Sequence, residues 1–429
     1  MSEENKFEKF VAFAKRRGII WPDSEIYGGA ASTYDYGPVG VEMKNKLKAA
    51  WWSSMVHNRE DIVGIDTAII GNPKIWEASG HTESFADPLV EDVVNHKRYR
   101  LDELKDPTKS PDGNPLSKPK KFNLLFKTFI GPVEDETSVA YLRGETCQGI
   151  YINFNNVMDT SRQKIPFGIA QIGKAFRNEI TTGNLTFRTL EFEQMEMEFF
   201  VREKEADKWF EYWVHERMQW YIDLGINESN LRLRKHPKED LAHYSKATTD
   251  IEYLFPWGWG ELEGIANRSD FDLTAHQKHS GKDMSVFDEA TKEKFIPWVI
   301  EPSGGVDRAL LAFLIDAFEV HEKGRKGEGD EESLLKIDPL LSSYDAAILP
   351  LVKKEGLIKK AGELLEKLRK QSKHVFYDES GSIGRRYRRQ DEIGTPVCYT
   401  IDFQTLEDDT VTARDRDKMT QERVKLEDI

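Results

Sequence analysis

Apolar residues first recur at helical spacing in Phe7, Phe10, Val11, Phe13 and Ala14, and Gly18 closes that run. Turn-rich stretches follow at Tyr27-Gly28-Gly29 and Tyr34-Asp35-Tyr36-Gly37-Pro38. Pro38 suits a first helical turn, where its missing N–H costs nothing. From Val39 to about His57 the pattern predicts a long helix, with Val41, Leu47, Trp51, Trp52 and Met55 on its apolar face. A strand is expected over 62–70, further strands at 138–142 and 169–176, and a long one ending near Phe199. An aromatic-rich helix is expected at about 203–222, its Trp209, Tyr212, Trp213 and Trp220 serving the core. The strand 296–302 leads through Ser303-Gly304-Gly305 into a helix from Val306 to about Val320. Between these elements, the lysine- and proline-rich stretch 105–121 reads as a flexible surface insertion.

The pattern changes after a charged, glycine-containing linker at 322–332. Strand 346–350, a helix at about 353–371, strand 374–377, another helix and strands 397–401 and 410–413 then alternate. The expected fold class is α+β: a mainly antiparallel-sheet domain over 1–335, then a smaller α/β domain over 336–429. Hydrophobic residues make up 39% of the 429, enough for real cores, and no apolar run is long enough to span a membrane. The N-terminus lacks a basic region followed by an apolar run, so no secretory signal is expected. Cys147 and Cys398 alone make neither a disulfide framework nor a thiolate metal site, and the expected compartment is the cytoplasm. A net charge of −14 disfavours indiscriminate nucleic-acid binding but leaves room for a local basic surface at Arg385, Arg386, Arg388 and Arg389.

Two segments carry chemistry. Phe176-Arg177-Asn178-Glu179 and Phe187-Arg188-Thr189-Leu190-Glu191-Phe192 read as an antiparallel hairpin joined by a short loop. It would combine arginine forks for phosphate oxygens with an aromatic face for a purine, an ATP site without a glycine-rich phosphate loop. Alternate residues share a strand face, so Gln194, Glu196 and Glu198 continue from Phe192. Acids lined up beside an aromatic floor are costly unless they meet a cation or hydrogen-bond donors. The second segment is Glu301-Pro302-Ser303-Gly304-Gly305-Val306-Asp307-Arg308. Its glycines allow close backbone approach where strand becomes helix, and an arginine in a first helical turn is best understood facing an anion.

Together these residues resemble the signature of the class II aminoacyl-tRNA synthetases. Arg177, Asn178, Glu179, Arg188 and Phe192 are similar to its second motif and Gly304 to Arg308 to its third, while the helix 39–57 with strand 62–70 stands in the place of its dimer-forming first motif. A closer resemblance, to the homodimeric glycine-specific branch, runs through Ile26-Tyr27-Gly28-Gly29, Ala78-Ser79-Gly80-His81, Leu142-Arg143-Gly144-Glu145-Thr146-Cys147-Gln148-Gly149, Glu191 to Glu196 and Glu301-Pro302-Ser303. It implies a glycine–tRNA ligase that uses ATP with magnesium, acts on glycine and glycine tRNA, and works as a homodimer. The implied catalytic residues are Arg177, Glu196 and Arg308. Those implied for ATP are Arg177, Asn178, Glu179, Phe187, Arg188, Phe192, Glu261, Leu262, Gly305 and Arg308, with Glu261 helping to hold magnesium. Arg100 (with Arg98 as a rival), Glu145, Phe192, Glu196, Glu301, Ser303 and Gly305 are implied for the amino acid. The segment from about 340 resembles an anticodon-binding domain, whose tRNA-facing residues would be Arg385, Arg386, Arg388 and Arg389.

The sequence departs from the branch in two places. Gly144 stands where related chains often carry proline, and 92–96 lacks the cysteine pair that holds zinc in some of them, so no structural zinc is expected. His276 and His279 read as packing or surface residues. Cys147 reads as structural, because phosphoryl chemistry of this kind needs positioning and charge neutralisation more than a nucleophile. The alternatives are a non-catalytic, nucleic-acid-binding accessory protein built on the same fold, or a class II enzyme for another small amino acid.

Overall fold

The computed structural model describes residues 3–180, 183–242, 244–289, 291–327 and 329–429. Its centre is a seven-stranded sheet of β1 (Ile62–Gly64), β2 (Phe167–Phe176), β3 (Glu191–Val201), β4 (Leu231–Lys235), β5 (Ala247–Phe255), β6 (Gly258–Ser269) and β7 (Trp298–Gly305). The spatial order is β4-β5-β6-β7-β3-β2-β1, antiparallel except where β1 runs parallel to β2. Strand pairing makes the two faces chemically different. Gln194 sits opposite Gly305, Glu196 opposite Ser303, and Ala266 opposite Glu301. Directly opposed residues share a face, so the polar positions of neighbouring strands collect on one side.

The other face takes Met195, Met197, Phe199 and Val201 from β3, with Ile251, Tyr253, Ile265 and Ile300, into the main core. Four helices close this core: α1 (Glu3–Arg16), α2 (Pro38–Trp52), α4 (Ala206–Asp223) and α6 (Val306–Ala317). A second core lies where α3 (Cys147–Ile152) and α5 (Phe271–Ser280) meet Phe167, Ile169 and Phe200 at the far end of the polar face.

Expectation and structure differ at several elements. The strand expected over 62–70 pairs only through Gly64, with an isolated bridge at Ile70–Leu142, because the chain leaves the sheet edge to meet the 142–149 loop. The expected hairpin is shorter at its tip: β2 ends at Phe176 and β3 starts at Glu191, so Arg177 and Arg188 stand outside the paired strands. After α6 the chain forms a hairpin, Phe318–His321 with Glu332–Leu335, so the predicted linker is largely that hairpin's loop. The 105–121 stretch runs beside a three-stranded sheet of Ala86–Glu91, Arg98–Arg100 and Lys120–Asn123. There the fully buried Asp92 accepts hydrogen bonds from Ser110 at 2.6 Å and Asn114 at 3.0 Å.

A five-stranded sheet follows: β8 (Ala346–Pro350), β9 (Val375–Tyr377), β10 (Val397–Ile401), β11 (Thr410–Asp415) and β12 (Gln421–Lys425), in the order β9-β8-β10-β11-β12. Helices α7 (Glu355–Lys370) and α8 (Ile383–Glu392) accompany it, as the alternating pattern predicts. Among the described residues no helix is long and apolar enough to cross a membrane.

Helix α2 is held close to the chain after α1 by a glycine. A methyl on Gly40 would lie 2.0 Å from the carbonyl oxygen of Ile19, a backbone atom that cannot swing away. Overpacking of this kind costs about 1–3 kcal/mol. Gly40→Ala is therefore expected to lower the thermal unfolding midpoint, measured by circular dichroism; an unchanged midpoint would contradict the close seating of α2.

Candidate active site

The polar sheet face floors a cavity of about 340 Å³. Its wall brings together Glu145, Arg177, Glu179, Phe187, Arg188, Phe192, Glu196, Glu261, Leu262, Glu301, Ser303, Gly305 and Arg308 from segments far apart in the chain. Of the residues singled out in the sequence for ATP or amino acid, Asn178 and Arg100 lie outside this wall.

One end of the cavity is acidic. Glu196, 2% exposed, accepts hydrogen bonds from Ser303 Oγ at 2.7 Å and from the Thr146 hydroxyl. Glu198 lies deeper and takes the Tyr151 hydroxyl at 2.6 Å on one oxygen, while its other oxygen has no partner. Glu301 accepts from Arg268 at 2.7 Å, and the same guanidinium makes a two-pronged pair with Asp272 at 2.8 and 3.0 Å. The side-chain ligand atoms of Cys147, Glu196, Glu198 and Glu301 come within 4.8 Å of one another. Glu145, Glu196, Glu198, Asp272 and Glu301 thus gather near the buried Arg268 guanidinium, whose charge acts on each of the four glutamates and which pairs directly with Asp272 and Glu301. Burial, reinforced by neighbouring acids, raises Glu196, pushes Glu198 well above the ordinary range and lifts Glu301 to about 8. For Glu145 burial also works upward, but His81 and Arg268 outweigh it and hold the carboxyl well below the usual range. Such a pocket suits a small cation with several N–H donors.

The other end is cationic and aromatic. Arg177 donates to the Gly144 carbonyl at 3.0 Å and lies over the rings of Phe85 at 5.2 Å and Phe192 at 5.4 Å. Arg308, in the first turn of α6, donates to the carbonyls of Phe187 at 3.1 Å and Glu261 at 2.9 Å and covers the Phe187 ring at 4.4 Å. Arg188 pairs with Glu103 from the small three-stranded lobe. Glu179 is half-buried, and one of its carboxylate oxygens has no partner. Gly305 caps α6 at its N-terminus, and the Leu262 side chain belongs to the main core while its backbone borders the cavity.

Asp307 joins this end to α2. Its carboxylate accepts from Lys44 Nζ at 2.6 Å, the Tyr36 hydroxyl at 2.8 Å and the Glu193 amide at 2.6 Å. Helix α2, strand β3 and helix α6 are thereby tied at one buried point.

Several functional residues were missed by sequence reasoning. Arg268 follows an ordinary strand sequence, and only pairing with β7 places it under Glu301. Asp250 stands opposite Gly264 on the neighbouring strand. A methyl on that glycine would meet Asp250 Oδ1 at 3.6 Å and Glu261 Oε1 at 3.9 Å, so the glycine leaves open the space between two carboxylates. Burial and the Glu261 charge lift Asp250 to about 6, while His236 at 2.6 Å holds its other oxygen. This is a hard, oxygen-rich donor set of the kind magnesium takes.

Arg100 reaches Asp87 at 3.2 Å, Asp102 at 2.7 Å and Glu103 at 3.7 Å. Glu103 also holds Arg188, which puts Arg100 on the cationic side, whereas Arg98 is exposed and pairs with Glu91. Asn178 donates its backbone N–H to the Leu124 carbonyl at 2.8 Å. His276 is buried against Gln148 at 2.9 Å, and His279 is exposed. The basic cluster on α8 divides. Arg385 is exposed, Arg388 pairs with Glu332, and Arg389 with Asp378. Arg386, expected at the surface, is instead 1% exposed and spends its donors on the carbonyls of Pro350, Leu351 and Asp378, because its helix position faces β8.

Comparison with known proteins bears on both domains. The family model described as the tRNA synthetase class II core domain (G, H, P, S and T) matches residues 128–318, and the model described as an anticodon binding domain matches 345–429. The chain is 52% identical to a glycine–tRNA ligase from Thermobifida fusca, with 100% of this chain and 97% of the relative covered. It is 52% identical to the one from Bifidobacterium longum, covering 99% and 92%, and 51% identical to the one from Nocardia farcinica, covering 100% and 97%. Among solved structures, prolyl-tRNA synthetase from Cryptosporidium parvum, complexed with L-proline and AMP, shares the fold at TM-score 0.66 and 14% identity, covering 97% of this chain and 75% of that one.

Glu301 makes the acid pocket sensitive to pH. Its folded value near 8 lies above the ordinary 4.5, so the folded state holds the proton more tightly than the unfolded state. The stability this contributes is complete below about 4.5 and lost as pH rises through about 8. Glu301→Gln keeps an acceptor for Arg268 without the titration. Melting midpoints measured across this window should fall less with pH in the variant than in the wild type; parallel slopes would contradict a buried neutral Glu301.

Proposed function

The chain belongs to the glycine–tRNA ligase family of class II tRNA synthetases, and from that premise we propose that it joins glycine to the 3′ end of glycine tRNA at the cost of ATP. The observation that carries this reading is the acid pocket beside a cationic, aromatic one. Glycine has no side chain to grip, so its ammonium and carboxylate must supply the affinity. In this reading the ammonium lies among Glu145, Glu196 and Glu301, with Ser303 alongside. Buried carboxyls leave no room for a larger side chain, and no proteinogenic amino acid is smaller than glycine, so the enzyme needs no editing site.

The reaction has two steps. First the glycine carboxylate attacks the α-phosphorus of ATP, the bond to the bridging oxygen breaks, and pyrophosphate leaves. A terminal ribose hydroxyl of the tRNA then attacks the carbonyl carbon of glycyl-adenylate and AMP departs. Arg177 donates to the Gly144 carbonyl, next to Glu145, and lies over Phe192, so one guanidinium can hold the amino-acid carboxylate and the α-phosphate together. Arg188 and Arg308 take the outer phosphates, exchanging present protein acceptors for phosphate oxygens. Phe192 supports the adenine on one face, and the free oxygen of Glu179 accepts from its edge. Asp250 and Glu261 would hold the magnesium that accompanies ATP, which neutralises charge on the leaving pyrophosphate. Over 336–429, Arg385 is the exposed member of its cluster and the best placed to meet a tRNA phosphate. The reading also takes the chain as a homodimer, from its resemblance at α2 and β1, and as a cytoplasmic protein, from its cysteine usage.

Exchange of labelled pyrophosphate into ATP tests the proposal. It should depend on glycine and fail with alanine or serine. Arg177→Ala should reduce it by at least about 100-fold while leaving the melting midpoint intact. Exchange without glycine dependence, or undiminished exchange in the variant, would contradict the assignment.

A further inference from the structure

Glu145 does not hold its own orientation. Its Oε1 accepts from Cys147 Sγ at 2.9 Å, Gln148 Nε2 at 3.1 Å and His81 Nε2 at 3.1 Å. Cys147 and Gln148 belong to the same short turn as Glu145 and would move with it. His81 comes from a different part of the chain. It begins the lobe whose strands 86–91, 98–100 and 120–123 also supply Glu103 to Arg188.

The imidazole is itself fixed on every side. Its Nδ1 lies 2.8 Å from Ser79 Oγ. Trp76 meets its ring edge-on at 5.2 Å, and Phe85 packs at 4.9 Å. Asn123 donates to its backbone carbonyl at 2.9 Å. The ring is 8% exposed and outside the cavity wall, so it does not meet substrate. Glu145 is ionised, so its oxygen accepts and Nε2–H donates. Oε1 is then saturated by three donors, and among the described residues no hydrogen bond reaches Oε2.

We infer that His81 is a positioning residue for amino-acid recognition: by fixing Oε1 of Glu145 from outside the 144–149 loop, it leaves Oε2 aimed at the substrate ammonium. This rests on the proposed reading of the acid pocket as the ammonium site. The same lobe then touches both ends of the site, the amino-acid end through His81 and the nucleotide end through the Glu103–Arg188 pair, and the two can be separated by mutation.

The experiment compares His81→Leu, which fills the volume without a donor, with His81→Gln, whose amide can reach Glu145. Both are made in the full-length protein and assayed by glycine-dependent pyrophosphate exchange, with KM measured separately for glycine and ATP. His81→Leu should raise the glycine KM about tenfold or more, leave the ATP KM within about twofold, and be largely corrected in His81→Gln. If His81→Leu does not fold, His81→Asn replaces it; its shorter amide falls short of Glu145, so its glycine KM should exceed that of His81→Gln. A glycine KM unchanged in the donor-lacking variant, or equal rises for glycine and ATP, would overturn the inference while leaving the enzyme assignment in place. Absence of glycine-dependent exchange in the wild type would overturn the assignment itself.

Discussion

A carboxylate taken out of water without a counter-charge is among the most expensive groups a fold can contain. This chain buries Glu145, Glu196, Glu198, Asp272 and Glu301 around one cavity end, with the buried Arg268 guanidinium paired to Asp272 and Glu301. The rest of the structure follows from keeping that cluster in place. The sheet must be continuous so that β3, β6 and β7 can present their polar residues side by side. Its opposite face must be tightly packed, and Met195, Met197, Phe199 and Ile300 meet α4 and α6 there. The protein moderates the charge by protonation, as the raised Glu301 shows, and by hydroxyl donors from Thr146, Tyr151 and Ser303. What remains is a deficit that an ammonium group can fill.

The nucleotide end is built on a different principle. Its arginines carry full charge but sit on loops and at a helix start, each held by acceptors that a phosphate can replace: Gly144 for Arg177, Glu103 for Arg188, and the carbonyls of Phe187 and Glu261 for Arg308. Preorganised donors of this sort need little rearrangement when charge moves along the phosphate chain. The Asp307 junction ties strand β3 and helix α6 to α2, through the Glu193 amide and Lys44.

Strand periodicity made the acid face legible, because Phe192, Gln194, Glu196 and Glu198 fall on one side whatever the strand's neighbours are. Most residues named for ATP and amino acid also line the cavity, Glu196, Glu261 and Glu301 from within the strands and Arg177, Arg188 and Arg308 from beyond their ends. What stayed hidden depends on partners distant in sequence. Asp250 acquires meaning only opposite Gly264, Arg268 only beneath Glu301, and His81 only against Glu145. Arg386 shows the same limit in reverse: a run of arginines reads as surface, but helix phase turns one of them inward to satisfy carbonyls. The apolar residues of 62–70 predict one strand, yet only its first part finds a partner strand.

An ammonium entering the acid pocket should displace protons held by the buried carboxyls. Titration calorimetry of glycine binding near pH 7, repeated in buffers of different ionisation enthalpy, measures proton exchange directly. Binding should release protons, because Glu301 is held near 8 in the free protein and must ionise to meet the ammonium. An observed heat independent of the buffer, or net proton uptake, would mean that glycine binding does not ionise Glu301.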